Sequence, residues 1–406
     1  MKKVSISGMG KVGLPLSAVI AESGFCVFGV DIDKNRVDLI NKGYNPIPEE
    51  KSLSSLLKRN FGKRLFVTTN GVEASKEAQI HIIITPLSID KNKKPDFKNI
   101  EDSAKQIALG LKKGDLVVLE TTVPVGTTRN VVGKILEKNS GLKVGRDFFL
   151  AHSPERAMTG FAISRYQEYP KVVGGIDKKS TKIAANFYQR FCKEVVEAES
   201  LEIAEMSKIF EGVFRDINIA LANELFKVCQ ELNINFWKTR HVANYKTNTN
   251  ILDPGNVGGP CISVYPWFLI NNFNVPLIKT ARLFNDSMID FYKNKVIELT
   301  KKNRNTKKIK NILVIGISFR EGVKEIAYSR IFPLINLLKK NGFNVFAYDP
   351  LYSKQEIENL DLKYLDNFAK VDCIVVMNKY PSLRNKLLKV KNKVIDIKNS
   401  LNYRNY

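Results

Sequence analysis

Short apolar runs alternate with longer amphipathic stretches through the first third of the chain. Residues 4–7, 27–30, 65–68, 80–85 and 116–121 are rich in valine, isoleucine and leucine and are bounded by glycine or polar residues, the pattern of buried strands. Alternation of this kind predicts an α/β fold, a parallel sheet with helices on both faces. Residues 148–152 and 171–174 extend that domain to about residue 195. From Glu197 to about Cys229 the strand pattern disappears and breakers are few, which predicts one long helix with Met206, Ile209, Phe210, Val213 and Ile217 on one face. More helix follows to about Lys301, interrupted by a Gly/Pro-rich loop over 253–260. Strand–helix alternation restarts at Lys310, with strands over 311–316, 344–348, 373–377 and 393–397. The expected organisation is three domains: 1–195 Rossmann-like, 196–302 helical, and 303–406 a second open α/β sheet.

Composition narrows the class. With 406 residues, 44% hydrophobic, the chain can bury two or three cores. Its five cysteines, Cys26, Cys192, Cys229, Cys261 and Cys373, form no CxxC pair. An odd, unpatterned set of thiols points to a reducing, cytoplasmic setting and to at most one cysteine with a chemical role. The three histidines, His81, His152 and His241, have no metal-ligand spacing, so no metal centre is expected. Lys2 and Lys3 ahead of an apolar run imitate a signal peptide, but Gly8, Gly10, Gly13, Pro15 and Glu22 interrupt that run and make it the first βαβ unit. No run of about 20 apolar residues occurs, so no membrane span is expected.

The net charge of +23 raises nucleic-acid binding as a rival function. The lysines are spread along the whole chain, and the densest cluster, 301–310, reads as a solvated connector. No nucleic-acid partner is expected; a basic surface equally attracts an anionic cofactor and a pyrophosphate-bearing substrate.

Gly8-Met9-Gly10-Lys11-Val12-Gly13 follows the first strand and opens a helix. Glycines there allow a tight turn and close backbone approach to a pyrophosphate, which then meets the helix N-terminus. Asp31 ends the second strand 18 residues after Gly13, where a carboxylate binds ribose hydroxyls and repels a 2′-phosphate. NAD is therefore the expected cofactor, held by Gly8, Gly10, Val12, Gly13 and Asp31. Arg36 is a candidate to pack on the adenine, with a plain surface arginine as the alternative.

Five phrases, in order, carry a resemblance: 8–16 (GMGKVGLPL), 120–128 (ETTVPVGTT), 153–156 (SPER), 215–224 (RDINIALANE) and 257–266 (VGGPCISVYP). Together they resemble the UDP-glucose/GDP-mannose dehydrogenase family over essentially the whole chain. SPER, the phrase PKVVGG at 170–175 and the RDINIA helix are closer to its branch acting on N-acetylated hexosamines. The resemblance implies a four-electron oxidation using two NAD in turn. A primary alcohol becomes an aldehyde, a cysteine traps it, a second hydride loss gives a thioester, and water releases a uronic acid. UDP-N-acetyl-D-mannosamine is the first expected substrate and UDP-glucose the second.

Under this resemblance Cys261 is the nucleophile, a thiol in a glycine-rich loop being both a good attacking and a good leaving group. Lys208 matches the family's helix lysine, which assists proton movement and steadies oxyanions. Glu155 of SPER matches a glutamate tied to hydrolysis. Thr121 and Thr122 match positions near the nicotinamide and the reactive water, and Thr85 ends a strand at the cofactor edge, where the loops of open α/β sheets bind ligands. Arg156, Arg215, Asn218, Gly258, Phe319 and Arg320 are candidate contacts to the UDP-sugar. Arg282 reads as packing or subunit support. The long helix matches the family's subunit interface, implying a homodimer or a multiple of it.

The chain also departs from the family. Gly212 stands where a catalytic Asn is usual, Tyr265 where an Asp is common, Pro260 where His is frequent, and Ala327 where an Arg is usual. Between Asn244 and Asp253, where a neighbouring subunit's arginine is expected, Lys246 is the one cation. These losses leave a second class open, a catalytically silent binder of nucleotide sugar or NAD.

Overall fold

The computed structural model describes residues 2–302 and 310–401, so 303–309 of the basic connector lie outside the described residues. The chain forms two compact units, Met1–Phe210 and Glu211–Tyr406.

The first unit holds the strands β1 (Lys3–Ser7), β2 (Cys26–Val30), β3 (Leu65–Thr68), β4 (Ile80–Ile83), β7 (Leu116–Leu119), β8 (Phe149–His152), β9 (Lys171–Gly175) and β10 (Val195–Ala198), with a small hairpin of β5 (Ser88–Ile89) and β6 (Pro95–Asp96). Its eight-stranded sheet runs β10-β9-β8-β7-β4-β1-β2-β3. β4, β7 and β9 are buried at every position, as expected for strands covered on both faces. Two features differ from the sequence expectation. β9 pairs antiparallel with β8, although β9 and β10 are parallel. Val195–Ala198 is an edge strand, so the long helix begins at Leu201 and not at Glu197. That edge strand has no fully buried position, which is why its apolar pattern is faint.

The long helix spans Leu201–Glu231. It buries Ile209 and Val213, four residues apart, while Phe210 is 61% exposed and does not share their face. In the first unit the helix is anchored by buried Glu205, whose carboxylate accepts the N–H groups of Gly126 (2.5 Å) and Thr128 (2.8 Å) and the Thr128 hydroxyl (2.6 Å).

The second unit continues with helices Phe236–Asn244, Tyr265–Ile270 and Pro276–Lys302. Its all-parallel sheet contains β11 (Asn311–Ile315), β12 (Asn344–Tyr348), β13 (Lys363–Tyr364), β14 (Cys373–Val376) and β15 (Val394–Ile395), in the order β13-β12-β11-β14-β15. Arg282 lies fully buried in this unit. Its guanidinium donates to Asp216 Oδ1 (2.5 Å), Asp286 Oδ1 (3.2 Å) and the Ile262 carbonyl (3.4 Å).

Both units contain the same turn. Gly8 at φ +106° donates its N–H to Val30 O (2.7 Å), and Met9 N–H donates to Asp31 Oδ2 (2.9 Å). Gly316 at φ +104° donates to Tyr348 O (2.9 Å), and Ile317 N–H donates to Asp349 Oδ2 (2.8 Å). Past the turn the two copies diverge. A helix, Gly13–Glu22, starts directly after the first turn, whereas after Gly316 the next helix starts only at Ile331. In the second copy the Tyr380 hydroxyl also occupies Asp349 Oδ2 (2.7 Å), and Asn378 fills the space beside Gly316. Only the first turn retains the open, helix-backed shape that suits a dinucleotide.

Candidate active site

Each glycine of the first turn has its own physical reason. A Cβ on Gly13 would lie 1.8 Å from Gly8 O, so only glycine lets the helix seat against the turn. A Cβ on Gly10 would meet nothing within 4 Å, so this position faces open space where a pyrophosphate can approach. Val12 precedes the helix and is half-buried. Asp31, 8% exposed, is held at the rim: Oδ1 accepts the Asp33 N–H (2.9 Å), and Oδ2 accepts from Met9. Arg36 donates to Asp31 Oδ2 (3.1 Å), so its guanidinium is tied to the carboxylate. Thr121 donates its hydroxyl to Thr85 O (2.6 Å), joining two strand ends at this edge, and the buried Thr85 Oγ1 has no protein partner. The open cradle, the fixed carboxylate and the orphan hydroxyl fit NAD.

The same unit carries Thr122, buried, and Glu155, in the loop after β8. Glu155 Oε1 accepts the N–H groups of Arg156 (2.7 Å) and Ala157, while Oε2 accepts the Tyr166 hydroxyl (3.0 Å) and the Lys171 ammonium (3.4 Å). The Arg156 guanidinium donates to Pro170 O (2.8 Å) and so braces this loop against the start of β9. Lys208 lies on the long helix, one turn past Glu205. Lys171 itself was absent from the sequence-based site. Its signal was a single cation heading a strand that is otherwise valine and glycine.

In the second unit Cys261 is exposed, the one exposed thiol of the five. Its loop is built by close approach. A Cβ on Gly259, at φ +88°, would lie 2.5 Å from the Phe319 ring, and one on Gly258 would lie 2.6 Å from Tyr328 O. Phe319 is therefore seated on the cysteine loop. Arg320 is near enough to Cys261 and Arg215 to feel both charges; burial first, with Arg215 adding, pulls its guanidinium below the ordinary arginine range against the pull of Glu325, Glu321 and Cys261. Arg320, within electrostatic range of the thiol and with Arg215 in range of its own guanidinium, suits a substrate carrying a pyrophosphate. Asn218 donates to Phe214 O (2.7 Å), its own helix. Buried Asn223 fixes the loop from below: it donates to Gly255 O (3.0 Å) and accepts the Gly255 N–H (2.6 Å).

The two departures at Gly212 and Tyr265 are one contact. A Cβ on Gly212 would lie 2.6 Å from Tyr265 Cδ2 and 3.2 Å from its Cβ, so the tyrosine ring fills the space a longer residue would use. Ala327 lies in the 316–330 loop, between Phe319 and Ser329, and Pro260 precedes the nucleophile candidate. The segment after Asn244 is closed on itself by Asn244 and Arg240, both donating to Ile251 O (3.0 and 2.7 Å).

A dinucleotide cradle at the edge of one open sheet, and an exposed thiol within electrostatic range of Arg320 in a unit built on a second such sheet, define a dinucleotide-dependent oxidoreductase acting on an anionic substrate. The chain belongs to the UDP-glucose/GDP-mannose dehydrogenase family: its NAD binding domain matches residues 2–192, its central domain 202–287 and its UDP binding domain 313–403. The UDP-N-acetyl-D-mannosamine dehydrogenase of Methanococcus maripaludis is 34% identical, over 96% of this chain and 92% of that protein. An enzyme of the same name from Campylobacter jejuni is also 34% identical, over 93% of this chain and 95% of that one. The structure of UDP-D-ManNAc dehydrogenase from Pyrococcus horikoshii aligns with a TM-score of 0.88 at 28% identity, covering 97% of this chain and 93% of the other. Among the described residues no helix is long and apolar enough to cross a membrane.

Proposed function

We propose that this protein oxidises the C6 primary alcohol of a UDP-N-acetylhexosamine, UDP-N-acetyl-D-mannosamine first among them, to the uronic acid. The observation that carries this reading is Cys261, the exposed thiol on a loop against which Phe319 packs, within electrostatic range of Arg320. NAD, when bound at Gly8, Gly10, Val12, Gly13 and Asp31, accepts one hydride in each of two oxidations. Between them the Cys261 sulfur adds to the aldehyde carbon, and its proton passes to the new hydroxyl to give a thiohemiacetal. Loss of the second hydride and of that proton leaves a thioester. Glu155 takes a proton from water as it attacks the thioester; the C–S bond breaks, the uronate leaves, and the Cys261 sulfur, which stays on the enzyme, takes up the remaining proton to restore the thiol. Lys208 supplies positive charge where alkoxide develops. Thr121, Thr122 and Thr85 line the cofactor edge, while Arg215, Arg320, Phe319, Gly258, Asn218 and Arg156 serve the UDP-sugar. The domains are assigned as 1–195, 196–302 and 303–406, and the enzyme works in the cytoplasm.

The protein acts as a homodimer or a multiple of it. Phe214, Leu221 and Val228, each seven apart on the long helix, are 67%, 48% and 45% exposed, an apolar stripe that a second copy covers.

The test is NADH release from UDP-N-acetylmannosamine, UDP-N-acetylglucosamine, UDP-glucose and GDP-mannose, with Cys261→Ala as control. Two NADH per sugar on an N-acetylhexosamine, lost in the control, is the expected result. Two NADH on UDP-glucose alone replaces the substrate assignment. No NADH from any sugar, with NAD still bound, replaces the enzyme with a silent binder in which Gly212 and Tyr265 stand for lost groups.

A further inference from the structure

Behind Glu155 lies a buried charge cluster that the reaction above does not use. The Lys171 ammonium, 5% exposed, stands between two carboxylates, donating to Glu120 Oε2 (2.7 Å) and Glu155 Oε2 (3.4 Å). Glu120 follows β7 immediately before Thr121 and Thr122, and Glu155 follows β8; Lys171 heads β9. One side chain therefore ties together the two loops that carry candidate catalytic groups. The far side is closed by Tyr188, whose hydroxyl donates to Glu120 Oε1 (2.5 Å) and whose ring lies 4.9 Å from the ammonium.

The charges do not balance. One ammonium faces two carboxylates, Glu120 fully buried and Glu155 13% exposed, and only one of them can be fully neutralised. Burial pushes the Glu120 carboxyl up to about 7 despite Lys171. Burial also penalises Glu155, but Lys171, a hydrogen bond shared with the Glu120 carboxyl, the Ala157 N–H and the Tyr166 hydroxyl outweigh it and hold the carboxyl below its ordinary range. The other polar groups around it do not compete: His152 on β8 is driven to the neutral form by burial and Lys171, the Arg156 guanidinium is engaged with Pro170, and burial raises the Cys192 thiol. Arg165 packs on Tyr169, its guanidinium carbon 4.1 Å from the ring centre.

We propose that Lys171 is a positioning residue for the Glu155 carboxylate, orienting it and balancing its charge for thioester hydrolysis, with Glu120 and Tyr188 anchoring the ammonium from behind. This rests on the reading of Glu155 as the base that activates water.

The test uses the full-length enzyme loaded with NAD and its sugar nucleotide. Both hydride losses precede hydrolysis, so a hydrolysis defect gives a burst of two NADH per site and then slow turnover. Intact mass then shows an acyl group on Cys261. Lys171→Met is expected to lower kcat by about 100-fold with this burst, to leave sugar KM and NAD affinity within about twofold, and to move the acid limb of the kcat profile to higher pH. Lys171→Arg, which keeps the charge, recovers most of the rate. Tyr166→Phe removes one hydrogen bond to Glu155 at little risk to folding, and raises the same limb by roughly half a pH unit; it carries the test if Lys171→Met does not fold. Glu155→Gln separates the two readings. If it hydrolyses the thioester normally, Glu155 is not the base and both readings fall. If it stalls while Lys171→Met and Tyr166→Phe keep the wild-type burst and limb, the positioning role alone is overturned. Loss of the NADH burst in a Lys171→Met enzyme that folds, with no return in Lys171→Arg, makes the cluster purely structural and also overturns it.

Discussion

Gly212 lies within a helix, where alanine is ordinarily worth about 1 kcal/mol more than glycine. Here the added methyl would lie 2.6 Å from Tyr265 Cδ2 and 3.3 Å from Cγ, against a ring on a side chain only 9% exposed. A ring cannot swing aside as a flexible chain end does, so overpacking of about 1–3 kcal/mol opposes the helix gain. Gly212→Ala should therefore be neutral or destabilising by up to about 2 kcal/mol in the native chain. With Tyr265→Ala in place the obstacle is gone, and the same change should stabilise by about 1 kcal/mol. The double-mutant cycle in urea, read at constant slope, thus gives a coupling of about 1–3 kcal/mol with a change of sign. Equal stabilisation by Gly212→Ala in both backgrounds would refute the contact. So too, the family-like pair Gly212→Asn with Tyr265→Asp should be better tolerated than Gly212→Asn alone.

Buried polar groups give two further expected outcomes. His152 is buried and driven down to about 3, first by burial and then by Lys171. Its folded value lies below the unfolded one, so its contribution is fully present above about pH 6.5 and is lost as pH falls toward 3, by up to about 1.4 kcal/mol per pH unit. His152→Leu should flatten that acid slope in urea titrations; an unchanged slope would assign it to other groups. Asn223→Ala leaves the Gly255 N–H and carbonyl unpaired inside the second unit, an expected loss of about 2–3 kcal/mol by denaturation. Because the loop then loosens, the rate of Cys261 alkylation by iodoacetamide should also change, with NAD affinity intact; an unaltered alkylation rate would show that Asn223 does not hold the cysteine loop.

Part of the fold and site was legible in the sequence because it is local. The glycine turn and Asp31 lie within the first 31 residues, and each residue's requirement is set by its immediate neighbours: backbone clearance at Gly13, open space at Gly10, a strand end at Asp31. The buried strands of both sheets were legible because covered faces demand unbroken apolar runs. The edge strand Val195–Ala198 was not, since none of its positions is fully buried, whereas the opposite edge, β3, still buries Leu65 and Val67. Phe210 does not share the buried face that its spacing suggests, because a helix hydrophobic on several sides does not declare which side is covered.

The rest depended on pairs far apart in the chain. Lys171 and Glu120 are 51 residues apart, and nothing in either stretch indicates that one ammonium serves two carboxylates. Gly212 and Tyr265 read in sequence as two separate losses and in space as a single exchange, the ring occupying what the glycine vacates. The second turn, at Gly316 and Asp349, was hidden because the helix that marks such a turn in sequence is missing there, while its hydrogen bonds persist. Apolar periodicity and turn chemistry are properties of a few neighbouring residues, and these the sequence determined by itself. Charge balance, ring packing and the pinning of a loop depend on which distant groups share one water-excluded volume, and only the tertiary structure decides that.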